Sequence, residues 1–306
     1  VGALEVFQRT PSWILPRDDR PWSRARQQSY ARMPLLGRLA RWRTYVRLET
    51  RVLGFGRLDR ARRLVQEQAL ARLAEAVPDP ATREALTPHY ALGCKRVLLS
   101  DDYWPTFARP DVALVTAPID RVEPWGVVTE DGEHHELDAL VFATGFDVRG
   151  SFDRVRITGL RGRTLADEWA SSRSTHLGIE VAGFPELYLL LGPNTALGHN
   201  SVLVMIEAAI EHILKALHRA DEEGPHVVTR SAQARFGRWV RQRTRHTVWG
   251  SGCQSWYLDE RGRNVAIWPA SSIRYRVATR RLRARSYERV TEDGPVRSMT
   301  GPTRVD

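Results

Sequence analysis

The chain has 306 residues, 42% of them hydrophobic and ten of them tryptophan, and carries a formal charge of +10. That length accommodates two domains and that apolar content is enough for a packed core. Of the 46 basic residues only Lys95 and Lys215 are lysines, and the arginines are spread along the chain apart from a cluster at Arg280, Arg281, Arg283 and Arg285, which argues against a specific nucleic-acid surface while still favouring anionic cofactors. No apolar run approaches the roughly 18 residues of a membrane span. Val1 to Pro16 has neither the charged start nor the apolar stretch of a signal peptide. The two cysteines, Cys94 and Cys253, form no Cys-x-x-Cys pair. Their scarcity points to a reducing, cytoplasmic setting.

Leu4 to Phe7 reads as a short apolar strand, with Arg9-Thr10-Pro11 at its C-terminal end, where α/β sheets bind ligands. From about Trp22 to Val77 the sequence is helical and Arg-rich. Leu35, Leu36, Leu39, Trp42 and Val46 recur at spacings that make one apolar face, and Leu64, Leu70, Leu73 and Val77 continue the pattern. Packing on a neighbouring domain is the expected role of that face; a membrane-surface helix is the minority alternative. Gly54 to Asp59 reads as a turn, and Val77-Pro78-Asp79-Pro80 stops the helical stretch. Val112 to Thr116 is a predicted strand, Ile119 to Leu137 a hairpin turning at Glu130 to Glu133, and Ala139 to Ala143 a buried strand. Leu187 to Leu191 is another strand, ended by Gly192-Pro193. A long helix then starts near Ser201, with Asn200 or Ser201 as N-cap and a core stripe of Val202, Met205, Ile206, Ala209, Ile210, Ile213, Leu214 and Leu217. Disorder is expected after about Tyr275.

Two adjacent cations, Lys95 and Arg96, lie between Gly93 and an apolar run, where packing gives them no role. They suit an anionic ligand. On the local run alone, a solvated basic pair is an equal reading. His134 and His135 adjoin Glu133 and Glu136, but neighbouring strand positions point to opposite faces and cannot converge on one metal ion. His199 and Ser201 lack the Gly-x-Ser-x-Gly elbow and the third partner of a hydrolase.

The pair has company in a set of ordered runs. Val6-Phe7-Gln8-Arg9-Thr10-Pro11-Ser12-Trp13 precedes it. Val141-Phe142-Ala143-Thr144-Gly145-Phe146-Asp147, Gly192-Pro193-Asn194, Gly198-His199-Asn200-Ser201 and Cys253-Gln254-Ser255-Trp256-Tyr257-Leu258-Asp259 follow it. In this order, over roughly residues 1 to 275, the chain resembles the class B flavoprotein monooxygenases, and among them the Baeyer–Villiger branch. The resemblance implies FAD and NADPH as cofactors and dioxygen as co-substrate. The implied reaction is insertion of an oxygen atom into a ketone through a flavin peroxide, or oxygenation of an amine or sulfide nitrogen or sulfur. It also implies roles. Arg9, Thr10 and Lys95 match contacts to the 2′-phosphate of NADPH, and a cation just past the second strand of a nucleotide unit is what such a phosphate requires. Arg96 matches the catalytic arginine, whose charge persists at every working pH; a structural salt bridge to Asp101 or Asp102 is its alternative. Trp256 matches a tryptophan beside the nicotinamide, with plain core packing as the competing reading. Gly192, Pro193, Asn194, Asn200 and Ser201 resemble the loop and helix start facing the flavin, and Thr144-Gly145 the crossing between two nucleotide domains.

The chain departs from the family pattern in lacking any Gly-rich strand-to-helix turn for either pyrophosphate. The expected fold is therefore α/β: an incomplete two-dinucleotide-binding-domain, Rossmann-like flavoprotein with a helical excursion. Residues 1–142 are assigned to the remainder of an NADPH-binding domain, with the excursion at 22–77. Residues 143–275 are assigned to the C-terminal part of an FAD-binding domain and 276–306 to a basic, disordered tail. The alternative to a working oxygenase is an inactive remnant, or one half of a two-chain assembly needing a separate FAD-binding region.

Overall fold

The computed structural model describes residues 2–56, 59–145, 152 and 155–291, and the backbone of 294–296. In chain order the elements are β1 (Leu4–Phe7), β2 (Ile14–Leu15), α1 (Arg24–Arg32), α2 (Pro34–Thr50), α3 (Val52–Phe55), α4 (Asp59–Ala76), α5 (Pro80–Ala85) and β3 (Leu98–Leu99). Next come α6 (Tyr103–Thr106), β4 (Val112–Val115), β5 (Ile119–Glu123), β6 (Gly126–Thr129), β7 (His134–Glu136), α7 (Leu165–Trp169), β8 (Glu180–Val181) and β9 (Phe184–Tyr188). The last are α8 (Val202–Glu223), β10 (His226–Val228), α9 (Arg230–Thr244), α10 (Ser272–Thr279), β11 (Tyr287–Thr291) and β12 (Gly294–Val296). They form two compact units, Val1–Ser23 with Asp59–Asp147, and Arg24–Leu58 with Val148–Asp306.

In the first unit β1 pairs in parallel with β4, and β2 in parallel with β3. Its core gathers Trp13 and Ile14 with Ala69, Leu73 and Val77 of the α4 region and Trp104 and Phe107 around α6. The stretch Val77-Pro78-Asp79-Pro80 ends α4 as expected and also starts α5, which Asp79 caps by accepting from the Thr82 amide at 2.7 Å. The expected single hairpin over 119–137 is a three-stranded antiparallel meander, β5-β6-β7, because a second turn at Pro124-Trp125 precedes the one at Glu130–Glu133. His134 and His135 point to opposite faces: His134 is exposed against Trp125, while His135 is buried and bonds Glu5 at 2.9 Å. Among the described residues no group of three or more His, Cys, Asp or Glu could hold a metal ion.

The buried strand expected at 139–143 is absent. Val141 and Phe142 are 84% and 74% exposed, and no described strand lies beside them. An apolar run becomes a buried strand only where neighbours offer both a ladder and a covering layer. Phe146 and Asp147 lie outside the described residues.

The second unit centres on α8, where Ser201 is the N-cap and accepts from the Leu203 amide. Met205, Ala208, Ala209, His212 and Ala216 form its buried face, and the first three pack with Phe236 and Val240 of α9 and Tyr275 of α10. Ile210, Leu214 and Leu217 of the expected stripe are exposed, so the apolar arc is wider than the buried one. The strand expected at 187–191 is shifted toward the N-terminus as β9. Leu190 and Leu191 are exposed, because the antiparallel ladder to β8 ends at Tyr188.

Two boundary expectations change. The excursion at 22–77 is helical throughout most of its length, but residues 24–58 belong to the second unit and only α4 to the first. Within α2 the expected apolar face is solvent-facing: Leu35, Leu39 and Trp42 are more than 60% exposed, and the buried position is Glu49. Gly54 and Phe55 lie in α3 rather than in a turn. The tail expected to be disordered from 276 instead completes α10 and forms β11, which pairs with β10 and β12. In Tyr-Glu-Arg-Val-Thr the aromatic Tyr287 is buried and packs with Val228 and Ala232, and this anchoring outweighs the basic composition.

Candidate functional site

The first unit brings Arg9, Thr10, Lys95 and Arg96 onto neighbouring loops. The Trp13 indole donates to the Tyr90 carbonyl at 2.7 Å, and the Tyr90 hydroxyl donates to the Pro11 carbonyl at 2.9 Å. These two bonds tie the segment after β1 to the loop before β3. Gly93, at φ 89°, makes the bend there that an L-residue resists. Lys95 is half-buried with its ammonium over the Tyr90 ring at 5.0 Å. Burial and the neighbouring Arg9 charge pull its pKa below the ordinary lysine value. Arg9 makes no ion pair among the described residues. Two cations held this close without an acid between them fit a phosphate group.

Arg96 is exposed and makes no ion pair or hydrogen bond among the described residues. The alternative salt bridge is not formed: Asp101 instead accepts from the backbone amides of Arg17 and Asp18. Thr144 and Gly145 are exposed, and Gly145 takes φ 91°.

The second unit holds the other candidates. At Gly192 an added Cβ would lie 2.3 Å from the Gly178 carbonyl oxygen, so only glycine fits. Asn194 adopts φ 64° and is buried, its amide donating to the Asn264 carbonyl at 2.9 Å. Its side chain therefore shapes the loop. Asn200 is likewise engaged at both ends: Nδ2 donates to Glu49 at 2.9 Å, and Oδ1 accepts from the Ser201 amide at 2.8 Å.

Glu49, invisible to the sequence reading, organises this corner. Its buried carboxylate also accepts from the Ser272 hydroxyl at 2.7 Å and faces His199 Nε2 at 3.5 Å. Burial works to raise its pKa, but the bonds from Ser272 and Asn200 and the nearby His199 hold it below the usual carboxylate value. The available signal was a lone acid at the end of a helix otherwise rich in arginine.

Aromatic contacts link the Gly198-His199 loop to Trp256. Phe55 stacks on Trp249 at 5.4 Å and lies 6.3 Å from His199, while Trp249 meets Tyr257 edge-on at 6.3 Å. Trp256 packs on Tyr257 at 4.3 Å yet is 47% exposed, which removes core packing as its role. Phe55, His199 and Trp249 border a cavity of about 1010 Å³, ample for a large ligand.

No family profile matches the chain. A Baeyer–Villiger monooxygenase of Pseudomonas aeruginosa is 37% identical over 308 residues, covering 99% of this chain and 58% of that protein. A Baeyer–Villiger monooxygenase of Streptomyces coelicolor is 36% identical over 292 residues, covering 94% of this chain and 56% of that protein. The solved structure of OTEMO in complex with FAD and NADP superposes with a TM-score of 0.76 at 25% identity, covering 90% of this chain and 59% of that one. The chain thus spans under two thirds of the relatives it matches, and it belongs to the class B flavoprotein monooxygenases.

Proposed function

We propose that the chain forms the NADPH-facing and part of the flavin-facing machinery of an FAD- and NADPH-dependent oxygenase that inserts oxygen into a ketone. The observation carrying this reading is 37% identity, across 99% of the chain, to a Baeyer–Villiger monooxygenase. When bound, NADPH supplies the hydride and FAD the activation of dioxygen.

The chain's own residues bind, orient and stabilise. Arg9 and Lys95 hold the 2′-phosphate as a two-point cationic clamp, with the Thr10 hydroxyl as a further donor. Arg96, charged and unpaired among the described residues, would stabilise negative charge developing on the substrate oxygen. The half-exposed indole of Trp256 offers a flat face and one N–H to the nicotinamide end. The start of α8 presents backbone donors toward a flavin, in a position fixed by Ser201 capping and by Asn200 held on Glu49. Oxygenation at nitrogen or sulfur uses the same machinery; both relatives described above carry the ketone-oxidising name.

The purified polypeptide is tested for flavin in its visible spectrum and for ketone-dependent consumption of NADPH. Stoichiometric FAD with ketone-dependent turnover supports this reading. A second reading is a chain that needs a separately supplied FAD-binding segment. The sequence favours it by lacking a Gly-rich strand–turn–helix. Absent flavin, with NADP⁺ binding retained, selects that second reading. Absence of both overturns the proposal.

A further inference from the structure

A second cavity of the second unit, about 320 Å³ in volume, is bordered by α9, α10 and the segment leading into β11. That volume suits one small organic molecule. Its floor is aromatic. Phe236 lies nearly parallel to Trp239 and Trp268, at 6.0 and 6.2 Å, and the two indoles are 4.8 Å apart. Its rim is cationic. Arg235, Arg274, Arg281, Arg283 and Arg285 all line it, and no aspartate or glutamate does. Arg281, Arg283 and Arg285 make no ion pair among the described residues. Arg274 lies over the Trp239 ring at 5.2 Å. His176 also lines the cavity, and its buried Nδ1 has no hydrogen-bond partner among the described residues.

Five guanidinium groups around one opening repel one another, and no carboxylate of the lining offsets that repulsion. A bound anion would relieve it. The aromatic floor adds what a bare anion does not need: flat apolar area for stacking. We infer that this cavity binds a small aromatic anion, its ring on Phe236, Trp239 and Trp268 and its carboxylate, sulfonate or phosphate against Arg281, Arg283 and Arg285. The inference is independent of the oxygenase reading. Trp268 and Arg283 also border the larger cavity beside His199, so Arg281 and Arg285, which do not, are the positions to alter.

Calorimetric titration of the full chain at about 0.15 M salt with phenyl phosphate, inorganic phosphate and benzyl alcohol separates the contributions. The expected result is saturable binding of one phenyl phosphate per chain, about tenfold or more tighter than either half-ligand. An Arg281→Ala/Arg285→Ala variant should weaken it by about tenfold or more. Trp239→Ala, checked by circular dichroism for an intact fold, should erase the advantage over inorganic phosphate. A control, Arg60→Ala/Arg63→Ala on exposed positions of α4, should leave binding unchanged. Equal affinity for phenyl phosphate and inorganic phosphate, an equal loss in the control, or no saturable binding at millimolar ligand would overturn the inference.

Discussion

The side-chain amide of Asn200 donates to the carboxylate of Glu49 at 2.9 Å, across 151 positions of sequence. The end of α2 therefore sets the residue just before the α8 cap, and Ser272 at the start of α10 joins the same carboxylate. Replacing Glu49 by alanine strands two donors in a buried corner. The expected cost is about 3 kcal/mol, since bonds to a charged group are worth about 1.5–3 kcal/mol each and the change forfeits part of that. Glu49→Gln keeps the shape and should cost less. Urea unfolding reads both, and an alanine variant with the parent's midpoint would remove Glu49 from this role.

Arg96 has no partner among the described residues, so its removal breaks no contact described in the fold. Arg96→Ala should melt like the parent yet lose about 100-fold or more in kcat, the scale of one lost oxyanion donor. Arg96→Lys should recover part of that, because it keeps charge but not the planar fork. A variant that loses thermal stability together with activity would make Arg96 structural.

Burial and the nearby Arg9 charge both lower the pKa of Lys95, so the two cations act on one region. Arg9→Glu should raise KM for NADPH by roughly 10- to 100-fold, the loss of one charge-assisted contact, and leave KM for NADH nearly unchanged. Steady-state kinetics with both nucleotides checks this. A parallel rise for both would mean that Arg9 does not meet the 2′-phosphate.

Local signals were legible where one rule dominated. Ser201 as a cap, the stop at Val77-Pro78 and the strand Leu4–Phe7 follow from side chains acting on their own backbone. What failed needed distant partners. Val141 and Phe142 read as a strand by composition, but no neighbouring strand takes up their backbone. Glu49 acquires its role only when Asn200 and Ser272, 151 and 223 positions away, are folded onto it. Leu35 and Trp42 have the spacing of a core face, but spacing defines only a stripe; coverage comes from another element. For the candidate site, ordered motifs named Arg9, Lys95 and Arg96, and the fold sets the Arg9 charge near Lys95, while Asn194 and Asn200 spend their polar groups on the fold.

Three histidines of the second unit are held neutral by burial. His176 is lowered from 6.5 to about 4, and His199 and His226 are also lowered. In the unfolded chain each takes up a proton near pH 6.5, while the folded chain refuses it until lower pH. Between those limits the unfolded state binds more protons, so stability rises with pH and falls on acidification. For His176 alone the window from about 6.5 to about 4 is worth on the order of 3 kcal/mol. Glu49 acts in the same direction at lower pH: its lowered pKa contributes stability that is present above the unfolded carboxylate value and lost as pH falls through the folded one. Thermal midpoints should therefore be flat above about pH 7 and drop steadily toward about pH 4.5. His176→Gln, which cannot take up that proton, should shallow the drop whatever its effect at neutral pH. A His176→Gln profile running parallel to that of the parent would show that the acid sensitivity arises elsewhere.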